Sequence, residues 1–206
     1  GGVCYFLWER DYNGLCSVHE HNGDTVTFSD RPLLEKGMST FIRYNKAISL
    51  LKKVQEKGEN SFSDLLQGGR FFGFHTKINW GSNTRGSIQT ADGKSSFPIQ
   101  KNRTNQFKIK VYIAHGECWI DEKSIVRNLE FVNQYKVLIP RSGNPKSTIL
   151  GKPKISEPNS CSSNTYVVAL LPSTGDQEEM AKNVLSYLHS KFLRFLVSLK
   201  TSTQDM

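Results

Sequence analysis

Cysteine is scarce in this sequence, and its spacing excludes the common zinc sites. The four cysteines are Cys4, Cys16, Cys118 and Cys161, and none belongs to a Cys-x-x-Cys pair or has a histidine at a metal-ligand spacing beside it. A structural zinc site is therefore not expected. Cys4 and Cys16 could meet across a hairpin, but we interpret all four as ordinary small residues of a reducing compartment.

Long apolar runs and the usual catalytic motifs are also missing. No apolar run reaches the roughly 20 residues of a membrane-spanning helix. The first residues, GGVCYFLWER, lack the basic start and small-residue cleavage site of a signal peptide. There is no Gly-x-Gly-x-x-Gly or phosphate-binding loop, and no Gly-x-Ser-x-Gly elbow. We therefore expect a cytoplasmic protein with no membrane partner and no catalytic residue in this chain.

Histidines and carboxylates do not combine into a metal site. His19 and His21 share one face of a strand while Glu20 points to the other, so we interpret the two histidines as surface polar residues. Asp121-Glu122-Lys123 and Glu35-Lys36 resemble the carboxylate–lysine pairs of metal nucleases. Such combinations arise freely in a chain with 22% charged residues. No metal is predicted, and a nuclease remnant is kept as a third class of function.

Positive charge is present and is concentrated in one part of the chain. The 206 residues carry a formal charge of +8. The stretch from Arg70 to Lys154 holds 15 Lys and Arg against 5 Asp and Glu, whereas the other residues hold 12 against 14. A local surplus of cations can displace counterions from phosphates, so we expect a nucleic-acid partner. The alternatives are an anionic surface, an acidic protein or solubility alone.

The N-terminal segment has the pattern of strands. Residues 3–8 form a continuous apolar and aromatic run, which is typical of a buried strand that a larger sheet covers on both faces. Asn13-Gly14, within residues 10–15, is a strong hairpin signal after this run. Residues 16–20 and 25–28 then alternate as strands joined at Asn22-Gly23-Asp24. Because almost nothing precedes the first strand, we expect the chain to be a fragment of a larger domain.

Helical patterns follow the hairpin and end the chain. Apolar residues recur at helical spacing over 41–54, after Ser39 as a candidate N-cap and before Gly58 as a stop. Residues 61–66 resemble a short helical turn that ends at a glycine pair. The final helix is predicted over 176–200, with Asp176 as its cap and acidic residues in its first turn.

Between these helices, the basic stretch reads as strands and loops. Residues 71–74, 107–114, 135–139 and 165–171 have the β-branched and aromatic content of strands. Residues 107–113 alternate well, with apolar side chains on one face and Lys108, Lys110 and Tyr112 on the other. Residues 121–131 are predicted as a short helix.

Loops of the basic stretch carry candidate DNA-binding residues. Asparagine can bond adenine, arginine can bond guanine, and both lysine and arginine can contact phosphates. The candidates are Asn79, Trp80, Asn83, Arg85, Lys101, Asn102, Arg103, Arg141, Asn144, Lys146, Lys152 and Lys154. The alternative is a set of ordinary polar turns, in which Trp80 anchors its loop to the core.

Five segments resemble a known family in the order in which they occur. They are GGVCYFLWERDYNG, FIRYNKAISLLKKVQ, FFGFHTKI, YKVLIPRSGNPKS and KFLRFLVSLKTSTQD. The chain resembles, over nearly its whole length, the C-terminal part of adenine-specific DNA methyltransferases from bacterial type II restriction–modification systems. The resemblance implies terminal strands of a truncated methyltransferase domain at 1–36, a helical connector at 37–69 and a DNA target-recognition domain at 70–206.

The resemblance also implies what this chain carries and what it leaves to its parent enzyme. In that family, the catalytic domain binds S-adenosylmethionine and holds the flipped adenine with an Asn-Pro-Pro-Tyr-type motif. This chain has neither that motif nor a glycine-rich cofactor loop. We therefore expect it to bind no cofactor and to transfer no methyl group alone. Phe6 or Trp8 is the candidate aromatic that contacts the flipped base.

We predict an α+β fold, with an N-terminal β-hairpin, a helical connector and a mixed α/β target-recognition domain. The expected partners are double-stranded DNA and the upstream methyltransferase domain of the same polypeptide. The alternative is a protein-interaction module that docks a separate specificity or nuclease subunit. Steep weakening of binding by salt would favour the DNA-binding function.

Overall fold

A computed structural model describes residues 4–141 and 150–200 of the chain. The fold is α+β, as predicted. The chain packs into two units, one formed by residues 4–60 with 191–200 and the other by residues 61–190. The divisions after residues 36 and 69 stay predictions. None of the helices in the described ranges combines the length and the apolar character that a membrane span requires.

The first unit is built around a two-stranded hairpin. Strands β1 (Cys16–Asn22) and β2 (Thr25–Arg31) pair antiparallel, and Asn22 lies opposite Thr25. Gly23 in the turn adopts a φ of 59°, which a residue without a Cβ accommodates at little cost. The turn predicted at residues 22–24 is therefore confirmed, whereas Asn13-Gly14 joins no pair of strands in the described part of the chain.

The loop that follows the hairpin is bonded to it. The Asn45 side chain donates to the Val18 carbonyl, and its backbone N–H donates to the Glu20 carboxylate, both at 3.1 Å. Arg31 donates to the Asn45 side chain at 3.1 Å and to the Ile42 carbonyl. These bonds hold the loop in a non-helical conformation.

The first helix is consequently shorter than predicted. Helix α1 spans Ala47–Glu56 and does not begin at Ser39, because the loop before it is bonded to the hairpin. It ends at Glu56, just before Gly58, the predicted stop, where φ is 63°. A small core forms with a helix from the far end of the chain, at Lys191–Lys200. The buried members of this core are Ile42, Ala47, Leu51 and Leu199.

Residues 4–8 do not form the predicted buried strand. They lie outside any strand, and Leu7 is fully exposed while Phe6 and Trp8 are 87% and 72% exposed. A strand is stable only where neighbouring backbone groups complete its hydrogen bonds. No strand in the described part of the chain pairs with this segment. The prediction from apolar composition was therefore wrong here.

The second unit contains a six-stranded sheet. In chain order its strands are β4 (Phe74–Trp80), β5 (Arg85–Thr90), β6 (Ser96–Gln100), β7 (Ile109–Ile113), β8 (Gly116–Ile120) and β11 (Ser160–Ser162). Their spatial order is β11-β7-β8-β6-β5-β4, with antiparallel neighbours except for the parallel pair β11 and β7. One face forms the core. The residues that it buries include Ile88, Ile99, Ile109, Val111, Cys118 and Ile120.

The two edge strands of this sheet approach each other. Asn164, two residues beyond β11, donates its backbone N–H to the carbonyl of Phe74 in β4 at 3.0 Å. The sheet therefore curls around its core, which limits the unpaired backbone at its edges. Phe72 and Phe74 are 1% and 0% exposed inside this curl.

A second sheet covers the remaining side of the core. Its strands, in spatial order, are β10 (Lys154–Ser156), β9 (Lys136–Pro140), β12 (Tyr166–Leu170) and β3 (Leu66–Gln67), all antiparallel. Leu138 and Val168 project from it into the shared core. Helix α2 (Gln177–His189) packs against β9 and β10. The strands predicted at 135–139 and 165–171 are confirmed to within one residue at each end.

The predicted C-terminal helix is two helices. The Asp176 carboxylate accepts hydrogen bonds from the backbone of Glu178 and Glu179, at 2.9 and 3.1 Å, and caps α2 as predicted. Ser190 is extended, with a ψ of 144°, and separates α2 from α3 (Lys191–Lys200). Serine is a weak helix former because its hydroxyl competes for backbone groups. One continuous helix over 176–200 was therefore a wrong prediction.

Two segments of the basic stretch also differ from prediction. Residues 71–73 form a turn, and the strand begins only at Phe74, because Gly73 adopts a φ of 82°. Residues 121–131 contain two short 3-10 helices, Glu122–Ser124 and Leu129–Phe131, instead of one α-helix. Asn128 separates them, with a left-handed φ of 55°.

Lys136 is one of the cations of the basic stretch, and it is fully buried at 0% exposure. Its ammonium donates to the carbonyls of Phe131 (2.9 Å), Val132 (3.3 Å) and Gln134 (2.6 Å). These carbonyls replace water around the charge. Burial nevertheless lowers the pKa of Lys136 from 10.5 to about 8. This cation belongs to the core and contributes nothing to a binding surface.

We predict that Lys136→Met lowers the free energy of unfolding by about 1–3 kcal/mol at pH 7, because buried carbonyls lose their donor. The difference should widen above pH 8. There the folded wild type releases a proton that the unfolded chain keeps until its pKa of 10.5, so wild-type stability rises with pH by about 1 kcal/mol per unit. Urea denaturation of both proteins from pH 7 to 10 measures this. If the stabilities of the two proteins changed with pH in the same way, the lowered pKa of Lys136 would be contradicted.

Candidate nucleic-acid interface

Antiparallel pairing brings separate predicted segments to one rim of the six-stranded sheet. β4, β6 and β7 end at this rim, and β5 and β8 begin there. Two predicted DNA-binding segments, 79–85 and 101–103, are therefore neighbours although two strands separate them in sequence. We call the rim formed by residues 79–85, 100–103 and 113–119 the turn rim.

The turn between β4 and β5 is held by its own hydrogen bonds. The Ser82 hydroxyl accepts from the backbone N–H groups of Thr84 (3.4 Å) and Arg85 (3.1 Å). The backbone N–H groups of Gly81 and Ser82 both donate to the Arg85 carbonyl at 3.1 Å. The turn thus presents Asn83 at its tip and Arg85 at its base, with both side chains exposed.

Lys101 connects this turn to the end of β6. Its backbone N–H donates to the Thr84 carbonyl at 3.0 Å, and its ammonium lies 5.2 Å from the centroid of the Trp80 ring. Asn102 and Arg103 follow in an exposed turn. Residues from two predicted loops therefore form one continuous surface at the turn rim.

A row of three polar side chains and one indole crosses the outer face of the sheet beside the turns. Arg85 lies opposite Gln100, Gln100 opposite Trp119, and Trp119 opposite Lys110, on four neighbouring strands. The strand residues next to Gln100, Trp119 and Lys110 point into the core, so these three side chains face outward. Arg85 lies directly opposite Gln100 and therefore shares its face. At about 4.8 Å between strands, the row is ~14 Å long. We call it the outer row.

Cations stack on aromatic rings at the far end of the outer row. The Arg103 guanidinium and the Lys110 ammonium each lie 5.8 Å from the Trp119 ring centroid. Lys110 is also 5.6 Å from the Tyr112 ring, and Lys154 is 5.4 Å from the rings of both Tyr112 and Tyr166. Cation–π attraction holds these long side chains in defined positions.

Lys110 is also paired with carboxylates. Its ammonium lies 3.7 Å from the Glu117 carboxylate and 3.8 Å from that of Glu157. Glu157 additionally accepts a hydrogen bond from the Tyr112 hydroxyl at 2.7 Å. Burial, followed by this hydrogen bond, raises the pKa of Tyr112 well above its usual range. The charge of Lys110 is therefore largely compensated within the protein.

Arg141 is bonded to a buried asparagine. Its guanidinium donates to the Asn164 side-chain oxygen at 2.6 Å and lies against Gly69, where a Cβ would be 2.3 Å from the Arg141 side chain. Lys152 is exposed. Two further candidates, Asn144 and Lys146, lie outside the described residues.

Some cations of the basic stretch lie away from the turn rim. Lys94 is in the turn between β5 and β6, and Lys123 follows β8, so both are at the opposite rim of the sheet. Lys136 is inside the core. The charge surplus counted from the sequence is thus divided between the turn rim, the opposite rim and the interior.

The residues weighed as metal ligands make structural contacts instead. His19 stacks on Phe28 with ring centroids 5.9 Å apart. The Asp121 carboxylate accepts the backbone N–H of Lys123 at 3.0 Å, and Glu35 forms ion pairs within the first unit. No group of three or more His, Cys, Asp or Glu residues within 4–141 and 150–200 is placed to hold a metal ion.

Phe6 and Trp8 both project into solvent in the first unit. Their role as contacts for a flipped base stays a prediction. Sequence reasoning did not single out Gln100, Glu117 or Trp119 for the interface. Residues 116–120 read Gly-Glu-Cys-Trp-Ile, and Cys118 and Ile120 are buried. The single polar residue, Glu117, beside a small apolar residue is a signal that could have placed Glu117 on the outer face, whereas no polar–apolar alternation marks Trp119.

No family model, curated protein or solved structure matches this chain.

We predict that Gly86→Ala disrupts the turn rim. A Cβ at Gly86 would lie 2.7 Å from the Asn79 carbonyl oxygen and 2.7 Å from the Trp80 ring. Relief of this overlap should lower the free energy of unfolding by about 1–3 kcal/mol and change the environment of the half-exposed Trp80 ring. Urea denaturation followed by tryptophan fluorescence measures both effects.

Gly81→Ala is the matched control. The nearest atom to a Cβ at Gly81 is the Arg85 carbonyl oxygen, 4.0 Å away, so this variant should keep wild-type stability to within about 0.5 kcal/mol. Equal effects of the two substitutions would contradict the close packing of Trp80 on Gly86.

Proposed function

We propose that this chain is the DNA-binding target-recognition region of an N6-adenine-specific DNA methyltransferase of a restriction–modification system. The observation that carries the DNA-binding part is the turn rim, where Arg85, Lys101 and Arg103 gather beside amide side chains. The methyltransferase part rests on the five sequence segments that resemble that family.

Phosphate contacts would come from the exposed cations of the turn rim. Lys101 and Arg103 lie over the rings of Trp80 and Trp119. Stacking restricts their motion and leaves their N–H donors available, so less conformational entropy is lost when they bind an anion. Arginine can also bond a phosphate with two parallel hydrogen bonds. Contacts of this kind position a duplex without reading its sequence.

Base contacts would come from the outer row and the β4–β5 turn. The outer row is ~14 Å long, which is close to the width of the major groove at about 12 Å. Its arginine and glutamine, Arg85 and Gln100, are the side chains that pair with guanine and adenine edges. Asn79 and Asn83 offer further amides beside them.

In this proposal, the chain selects the DNA site and a neighbouring domain performs the chemistry. The upstream methyltransferase domain of the same polypeptide would bind S-adenosylmethionine, in the cytoplasm of a bacterium. Phe6 or Trp8 would contact the flipped adenine.

A second candidate function is a module that docks a separate specificity or nuclease subunit. The exposed apolar run Tyr5–Trp8 favours it, since Tyr5 is 81% and Leu7 100% exposed, and exposed apolar surfaces often mark protein interfaces. Binding through such a surface would change little with salt, whereas phosphate binding weakens steeply.

We predict that the double variant Lys101→Gln/Arg103→Gln binds duplex DNA more weakly by a similar factor for every sequence tested. Loss of two phosphate contacts should reduce the slope of log K against log salt by about 2. Fluorescence anisotropy of a labelled duplex between 50 and 200 mM salt measures the slope. Over this range of salt, several phosphate contacts together change the affinity by roughly 10³ or more.

The matched control is Lys94→Gln/Lys123→Gln, which removes the same charge from the opposite rim. It should leave the salt slope close to that of the wild type. If both double variants changed the slope equally, net charge and not the turn rim would be the cause. A wild-type chain that fails to bind duplex at low salt would overturn the DNA-binding proposal.

A further inference from the structure

Glu117 is a carboxylate in the middle of a surface that is otherwise suited to phosphates. It lies on β8 opposite Tyr112, just after the turn that joins β7 to β8. The next residue, Cys118, is 0% exposed in the core, so Glu117 points to the outer face, where its side chain is 49% exposed. Trp119 lies two residues further along on the same face.

The contacts of Glu117 leave most of its hydrogen-bonding capacity unused. Its ion pair with Lys110, at 3.7 Å, is its only polar side-chain contact among the described residues. A carboxylate has about four acceptor positions. Lys110 does not depend on Glu117, because it also pairs with Glu157 and stacks on two rings.

A carboxylate at this position cannot contact a phosphate favourably, because like charges repel. It can accept a hydrogen bond from an amino group on a base edge. In the major groove, glutamate is the side chain that accepts from cytosine N4, while arginine and glutamine serve guanine and adenine. Glu117 and the two residues after it are paired with β7, so the position of Glu117 is fixed better than that of a loop residue.

We propose, on the basis of the DNA-binding function above, that Glu117 is a specificity-determining residue that accepts a hydrogen bond from the N4 amino group of a cytosine in the major groove. Gln100 and Arg85, in the outer row beside Trp119, supply the neighbouring base contacts. Lys110 positions Glu117 and limits the repulsion between its charge and the phosphates.

The test is selection from a duplex library with a randomised centre, using the full chain as wild type, Glu117→Ala and Glu117→Gln. The wild type should select a sequence with an invariant C·G pair, and both variants should lose the preference at that pair only. In direct binding, replacing that pair by T·A should lower the affinity of the wild type by about tenfold or more. The same replacement should leave the affinity of Glu117→Ala unchanged. The alanine variant should also bind non-specific duplex more tightly, because a negative charge is removed.

Glu157→Gln is the control for loss of a charge beside Lys110. Glu157 makes a similar ion pair, and its side chain is 54% exposed. Because its carboxylate bonds the Tyr112 hydroxyl, we expect Glu157→Gln to leave the selected DNA sequence unchanged. Retention of the same preference by Glu117→Ala, or its loss in Glu157→Gln as well, would overturn the inference. Circular dichroism and thermal melting of each variant establish that it is folded.

The outcomes separate this inference from the proposed function. A wild type that binds duplex with salt dependence but selects no sequence overturns the role of Glu117 and leaves phosphate binding in place. A wild type that binds no duplex overturns both.

Discussion

The register of four antiparallel strands determines the surface on which the proposed function depends. Hydrogen bonds between β5, β6, β8 and β7 place the four side chains of the outer row opposite one another, namely Arg85, Gln100, Trp119 and Lys110. A slip of one residue would turn this row inward and expose buried isoleucines instead. Burying each such side chain contributes about 1.5–3 kcal/mol. The core therefore stabilises the one register in which polar and basic groups share the outer face.

Within that surface, position matters more than the number of charges. Lys101 and Arg103 are exposed above indole rings, whereas Lys110 is compensated by two carboxylates and Lys136 by backbone carbonyls. The charge count of the sequence treats these residues alike. Only the fold distinguishes cations that can meet a phosphate from cations that support other side chains.

The sequence predicted those features whose causes are local. The turn at Gly23 and the cap at Asp176 depend on neighbouring residues and are confirmed. The strand at residues 135–139 pairs with distant segments, but its β-branched composition marks it in the sequence, and it too is confirmed. The late start of α1 follows from hydrogen bonds between the loop before it and the hairpin, which composition does not reveal. The exposure of residues 4–8 follows from the lack of a partner strand in the described part of the chain. Candidate residues at 79–85 and 101–103 were recognised one loop at a time, but their adjacency follows from strand order, which the sequence does not state. Residues 142–149 carry Asn144 and Lys146, whose roles stay predictions.

The first unit is discontinuous in sequence, and the break between α2 and α3 at Ser190 coincides with its second boundary. Its small core combines Leu51 with Leu199, while all of residues 61–190 belong to the other unit. The larger unit is thus an insertion between two parts of a smaller one. An intact segment 61–190 could be exchanged as a cassette without altering any buried residue of the smaller core. Truncation after Ser190 would instead remove Leu199 and leave a cavity beside Leu51.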